Sequence, residues 1–199
     1  MALLRFLFLF LLISFQTSAQ KDYKLWLQYN PVANSAIASE YKNNLKGIII
    51  LGNSETIKIA EKEIKTGFLY MLGNIPEIKS DVKGENNLIV GSASNLNIEL
   101  KNELKSDFDK INEEGFIIKS ISLKNKKQII ITGKNDISVL YGVFNFLRIL
   151  QTNASVKNLN IVDSPKTNIR ILNHWDNLDR TVERGYAGFS LWNWQKLPD

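Results

Sequence analysis

The chain has no cysteine and a single histidine among its 199 residues. Without thiols there is no disulfide framework, so an exported chain of this kind rests on an ordinary hydrophobic core. One histidine and no cysteine also exclude a zinc site of ordinary ligand type. A phosphate-cradling loop is missing: Gly91-Ser92-Ala93-Ser94-Asn95 lacks the second glycine and the lysine that such a loop needs. There is no Gly-x-Ser-x-Gly, which excludes a nucleophile elbow. No block of Lys and Arg interleaved with aromatics argues for nucleic acid. No repeat of solenoid period is present.

Long apolar runs are equally scarce. The one there is, Phe6 to Ile13, follows Arg5 and precedes Thr17-Ser18-Ala19. A positive start, a short apolar stretch and a small-residue cleavage site together read as a secretory signal peptide over residues 1–19. The run is too short to span a bilayer comfortably, so the expectation is no membrane association after cleavage and a periplasmic or extracellular address. Loss of Arg5 lowers the formal charge of +5 by one, and the remaining Lys excess is scattered among Glu and Asp as on a solvated surface. With 44% hydrophobic and 23% charged residues, the rest is globular rather than disordered or coiled coil. Asn153-Ala154-Ser155 fits the glycosylation sequon, a weak pattern that matters only in a eukaryotic secretory pathway.

Periodicity then orders the mature chain. Tyr23 to Tyr29 alternates apolar and polar residues up to Asn30-Pro31, a half-buried strand. Lys46 to Leu51 is a continuous apolar strand, and Ser54 caps a helix running to Gly73. Asn87 to Val90 is a third strand; Leu96 to Ile111 reads as an exposed helix with Leu100, Leu104 and Phe108 on one face. Gly115 to Ser122 and Lys127 to Thr132 form a hairpin. Asp136 caps a helix from Ile137 to Leu150 whose Gly142 requires close packing, because glycine inside a helix costs about 1 kcal/mol. Leu159 to Val162 is a last strand, and Asp163-Ser164-Pro165 a linker. The fold class is α/β: residues 20–163 form an N-terminal α/β sandwich domain, a sheet with packed helices, and 164–199 open a second unit.

The chemistry concentrates in Asn168 to Trp194, which holds His174 and three of the 4 tryptophans, Trp175, Trp192 and Trp194. Ile169 to Leu172 is a short apolar strand that runs into this polar and aromatic rim, as where a rigid element delivers a site. Trp175 offers a flat face to a sugar ring; Asn173, His174, Asp176, Asn177 and Arg184 suit hydroxyls or a carboxylate. Glycoside hydrolysis needs two carboxyl groups about 5 to 10 Å apart. Asp176, Asp179 and Glu183 are the candidates, although carboxylates so near in sequence also cap turns or hold Arg180 and Arg184.

The segment RILNHWDNLDRTVERGYAGFSLWNW resembles the opening of the catalytic barrel in α-glucuronidases of glycoside hydrolase family 67. YKLWLQYNPV is similar to the start of that family, and EEGFIIKS with VLYGVFNFLRILQT to the end of its N-terminal domain. One departure is Arg180-Thr181, where the family usually has Gly-Ser, which puts the form of that loop in question.

The resemblance implies a xylan-degrading hydrolase that removes α-1,2-linked glucuronic acid, or its 4-O-methyl ether, from glucuronoxylan-derived xylo-oligosaccharides with inversion. It implies no cofactor and no metal, and a homodimer for the full-length protein. It makes residues 164–199 the first strand and helix region of a (β/α)8 barrel, with His174 and Trp175 at the strand's mouth. Asn173, His174, Trp175, Asp176, Asn177, Glu183 and Arg184 would then bind substrate. The family's members are several times longer, so the chain reads as a fragment, inactive alone, whose catalytic acid and base lie beyond Asp199. The alternative is a non-enzymatic carbohydrate-binding or scaffold module.

Overall fold

The structure is a computed structural model and describes residues 28–167 and 169–171. The chain divides into two compact units, Met1–Ser164 and Pro165–Asp199. The first unit is built on one mixed six-stranded sheet with helices on both faces.

Its elements start where local chemistry starts them. Helix α1 (Ser35–Asn44) begins at Asn34, whose side-chain oxygen accepts from the amides of Ala36 and Ile37. Strand β1 (Gly47–Ile50) is followed by the long helix α2 (Glu55–Leu72), capped by Ser54 through the Ile57 amide. Gly73 ends α2 at φ +75°, a left-handed conformation that glycine adopts without a Cβ penalty. Strand β2 (Glu77–Lys79) is an edge strand and β3 (Asn87–Val90) is buried throughout.

Two short helices, α3 (Ile98–Glu103) and α4 (Lys105–Phe108), precede the hairpin of β4 (Phe116–Leu123) and β5 (Lys126–Gly133). Lys124 and Asn125 form the hairpin's two-residue turn with φ of 51° and 61°, the pair of positive angles that matches strand twist. Helix α5 (Asp136–Gln151) and edge strand β6 (Asn160–Asp163) complete the unit.

The strand order is β2-β1-β3-β5-β4-β6. β1 pairs parallel with β2 and β3, β3 parallel with β5, and β4 antiparallel with both β5 and β6. One face carries Ile48, Leu88, Val90, Ile129 and Ile131 under α1, α2 and α5; the other carries Ile49, Ile89, Ile117 and Ile130 under α3 and α4. Alternate side chains of each strand thus supply two cores, as the pleat requires. At Gly142 a Cβ would lie 2.7 Å from Ile131 Cγ2 and 3.3 Å from Phe116 Cβ. The missing side chain lets α5 approach the hairpin, which is the close packing expected there.

Several expectations are corrected. The single exposed helix over Leu96 to Ile111 is two helices broken at Leu104, and Leu96, Leu100, Leu104 and Ile111 are buried against the sheet. Helix α5 is capped by Asn135, one residue earlier than expected, and Asp136 lies in its first turn. Helix α1 and strand β2 carry no expectation in the sequence: only Tyr41 of α1 is buried, and β2 is a three-residue edge. Of the strand expected from Tyr23 to Tyr29, only Gln28 and Tyr29 are described, and neither is in a strand. The first barrel strand expected from Ile169 to Asn173 falls partly outside the described residues: Ile169 and Ile171 are described and are 73% and 83% exposed, and Leu172 and Asn173 are not described.

Candidate functional site

In open sheets with parallel strands, ligands usually settle beyond the carboxyl ends of the strands, where the strand order reverses. Here that place lies between β1 and β3, since β2 lies on one side of β1 and β3 on the other. The loops there close on each other. The Leu51 amide donates to the Val90 carbonyl at 2.7 Å, and the Ala93 amide to that of Gly133 at 2.9 Å. A Cβ on Gly91 would meet Leu51 Cβ at 2.6 Å, and one on Gly52 would meet Asn95 Nδ2 at 2.7 Å. Asn95 Nδ2 donates to Ser92 Oγ at 3.0 Å, and Ser92 and Ser94 share a 3.1 Å hydrogen bond. Ser54 Oγ donates to Asp136 Oδ2 at 2.6 Å, which ties the start of α2 to the first turn of α5. The glycines allow the loops to interlock, and the crevice is occupied by the protein's own side chains.

The perturbed titratable groups of this unit likewise hold structure. Asp107 is 3% exposed, its Oδ2 accepting from Lys119 Nζ at 2.6 Å and its Oδ1 from Lys110 Nζ at 3.1 Å. Burial pushes the carboxyl pKa up, but the hydrogen bonds and charges of the two lysines outweigh it and hold the pKa below the usual carboxylate range. Glu40 accepts from Ser155 Oγ at 2.6 Å and from the Val156 amide at 2.9 Å, joining α1 to the loop before β6. The Ser155 hydrogen bond leads the causes that lower its pKa. Tyr41 donates to the Ala154 carbonyl at 2.7 Å, and burial pushes its hydroxyl up to about 12. Tyr29, which donates to Glu63 at 3.1 Å, is raised by burial and by that carboxylate. Among the described residues no three His, Cys, Asp or Glu side chains gather as metal ligands would, and no helix is long and apolar enough to cross a membrane.

Asn173, His174, Trp175, Asp176, Asn177, Asp179, Glu183 and Arg184 all lie outside the described residues. The nearest described part of their segment is 169–171, where Arg170 Nη1 donates to the Thr167 carbonyl at 2.6 Å. The polar groups that sequence reasoning passed over are Asp107, Lys119 and Glu40. Asp107 is embedded in the run KSDFDK, which reads as a solvated face, and its partner Lys119 and the loop partners of Glu40, Ser155 and Val156, are brought against these carboxylates only by the fold.

Relatives of the chain fall among the glycoside hydrolases. It is 27% identical over 200 residues to alpha-glucuronidase A of Emericella nidulans, covering 95% of this chain and 22% of that protein. It is 28% identical over 190 residues to the probable alpha-glucuronidase A of Aspergillus niger, covering 93% of this chain and 21% of that one. The chain thus spans about a fifth of the length of these relatives. A solved structure of a family GH115 4-O-methyl-alpha-glucuronidase superposes with a TM-score of 0.41 at 15% identity, over 53% of this chain and 13% of that one. Residues 25–146 match the glycosyl hydrolase family 67 N-terminus, and 149–199 match the middle domain of the same family. The chain belongs to glycosyl hydrolase family 67.

Proposed function

We propose that this chain is the N-terminal part of an exported α-glucuronidase that hydrolyses α-1,2-linked glucuronic acid, or its 4-O-methyl ether, from xylo-oligosaccharides with inversion. The observation that carries this reading is the pair of adjoining family matches, 25–146 and 149–199, which together run through the α/β unit and the His174-Trp175 segment. Residues 20–163 are its N-terminal domain and 164–199 the first strand and helix region of a (β/α)8 barrel, whose active site lies at the carboxyl ends of the strands.

Asn173, His174, Asp176 and Asn177 hold sugar hydroxyls, Trp175 stacks on a ring, and Glu183 and Arg184 bind the rim, with Arg184 the natural partner of a uronate carboxylate. Inversion requires an acid on one side of the bond and a base activating water on the other, and neither is assigned to the 199 residues of this chain. The whole protein uses no metal, is exported by cleavage after residue 19, and dimerises outside this region.

The experiment is a pair of digests of aldotriouronic acid, one with the 199-residue chain and one with the protein translated from the whole reading frame. The long protein is expected to release glucuronic acid that appears first as the β-anomer by proton NMR, and the short chain to release none. Release by the short chain, or an α-anomer first from the long one, overturns the corresponding half of the proposal.

A further inference from the structure

A cavity of about 150 Å³ opens at the amino end of β5, at the opposite end of the sheet from the interlocked loops. A volume of that order holds one six-membered ring. The buried side chains of Ile129 and Val156 line it, and Lys127, Lys157 and Asn158 line it with their exposed side chains. An apolar floor under a few convergent polar groups is how a small-molecule pocket is usually built.

Part of the polar lining serves the fold: Gln128 bonds Asn87 and the Gly84 carbonyl, and Asn44 Nδ2 donates to the Glu40 carbonyl; the remaining polar groups are held in place and open to a ligand. Asn86 has φ +60°; its amide donates to the Lys127 carbonyl at 2.6 Å and its carbonyl accepts from the Lys46 amide at 2.7 Å, so its backbone is fixed on both sides. Its side-chain amide, that of Asn158 and Lys127 Nζ have no hydrogen-bond partner among the described residues. Ser120 Oγ accepts from the Leu159 amide at 2.9 Å, which leaves its proton to donate. Glu40, the carboxylate near this rim, already takes Ser155, Val156 and, at 3.4 Å, Lys157. The rim therefore keeps a net positive charge from Lys127.

We infer that this cavity is a second binding site for a single hexuronic acid unit. Its ring would lie over Ile129 and Val156, its hydroxyls would meet Asn86, Asn158 and Ser120, and its carboxylate would face Lys127. An inorganic anion leaves the apolar floor unused, and a neutral sugar leaves the ammonium unpaired. The choice of a sugar acid among ring-sized carboxylates rests on the hydrolase reading above; the existence of the site does not.

The test is amide chemical-shift mapping on the ¹⁵N-labelled 199-residue chain, titrated separately with D-glucuronate, D-glucose and benzoate. Glucuronate is expected to move the signals of Asn86, Lys127 and Asn158 saturably, with a dissociation constant on the order of 1 mM for a few charge-assisted bonds in an open pocket. Glucose is expected to bind about tenfold more weakly, and Lys127→Gln to weaken glucuronate about tenfold while leaving the rest of the spectrum unchanged. Asn158→Ala provides a second variant at an exposed position. Shifts that are absent or scattered overturn the site, and benzoate binding as tightly as glucuronate overturns the sugar-acid assignment. Cleavage by the long protein without binding here removes only this inference; binding here without cleavage removes only the hydrolase reading.

Discussion

Replacing Asp107 by Asn keeps the shape of the side chain and removes its charge. In the folded chain both carboxylate oxygens are held, by Lys119 Nζ at 2.6 Å and Lys110 Nζ at 3.1 Å, and the Asp107 side chain is 5% exposed. Removing one partner of a fully buried ion pair costs about 3–5 kcal/mol. Lys119 retains 25% of its side-chain exposure and Lys110 62%, so both recover hydration and the expected cost falls to about 2–3 kcal/mol. For a domain of this size that is a fall in Tm of roughly 10 °C.

Because the folded pKa of Asp107 is lowered, its contribution is fully present above the unfolded value of about 3.9 and is lost as pH falls through the folded value. Urea titrations of wild type and Asp107→Asn from pH 7 to pH 3 should therefore show a constant gap at neutral pH that narrows below about pH 4. The double variant with Lys119→Met should recover part of the loss, since it no longer strands an ammonium. A gap under about 0.5 kcal/mol, or one that does not change with pH, refutes the reasoning.

Two further substitutions test the packing. Thr132 Oγ1 is buried with no hydrogen-bond partner among the described residues, so Thr132→Val, which keeps the branched shape, should raise stability by about 1 kcal/mol in urea unfolding; a loss would mean the hydroxyl is satisfied after all. Ser54→Ala removes both the cap on Ile57 and the bond to Asp136, and should lower the unfolding midpoint by the equivalent of about 1–2 kcal/mol, with Ser54→Thr retaining most of it.

The elements that were legible in the sequence are those whose signals are local. Ser54 and Gly73 bracket α2, a Lys-Asn turn makes the β4–β5 hairpin, and a glycine inside the stripe of α5 announces close contact with a sheet. The elements that were missed are decided by tertiary burial. Helix α1 buries one aromatic side chain and β2 is three residues on an edge, so neither leaves a periodic trace. With the break at Leu104, Leu100 on α3, Leu104 between the helices and Ile111 beyond α4 all enter the same core. Asp107 looks like any surface charge until Lys119, 12 residues away on β4, is brought against it. Strand order is set by pairings far apart in the chain and has no sequence period of its own. The candidate sugar site is legible as a motif, and its side chains from Asn173 to Arg184 lie outside the described residues.

The placement of β5 between β3 and β4 also sets an order of events. Strands β1, β2 and β3 are joined by crossovers and have no hairpin among them, whereas β4 and β5 close on a two-residue turn. Asn87 meets its partner Gln128 only after 41 further residues have been made. A chain growing from its amino end therefore keeps β3 unpaired on that side until the hairpin exists, and the late, local hairpin becomes the template on which the early strands assemble. Synthesis paused between β3 and β5 would leave an apolar strand edge waiting, and that is the interval in which a holding factor would have most to protect.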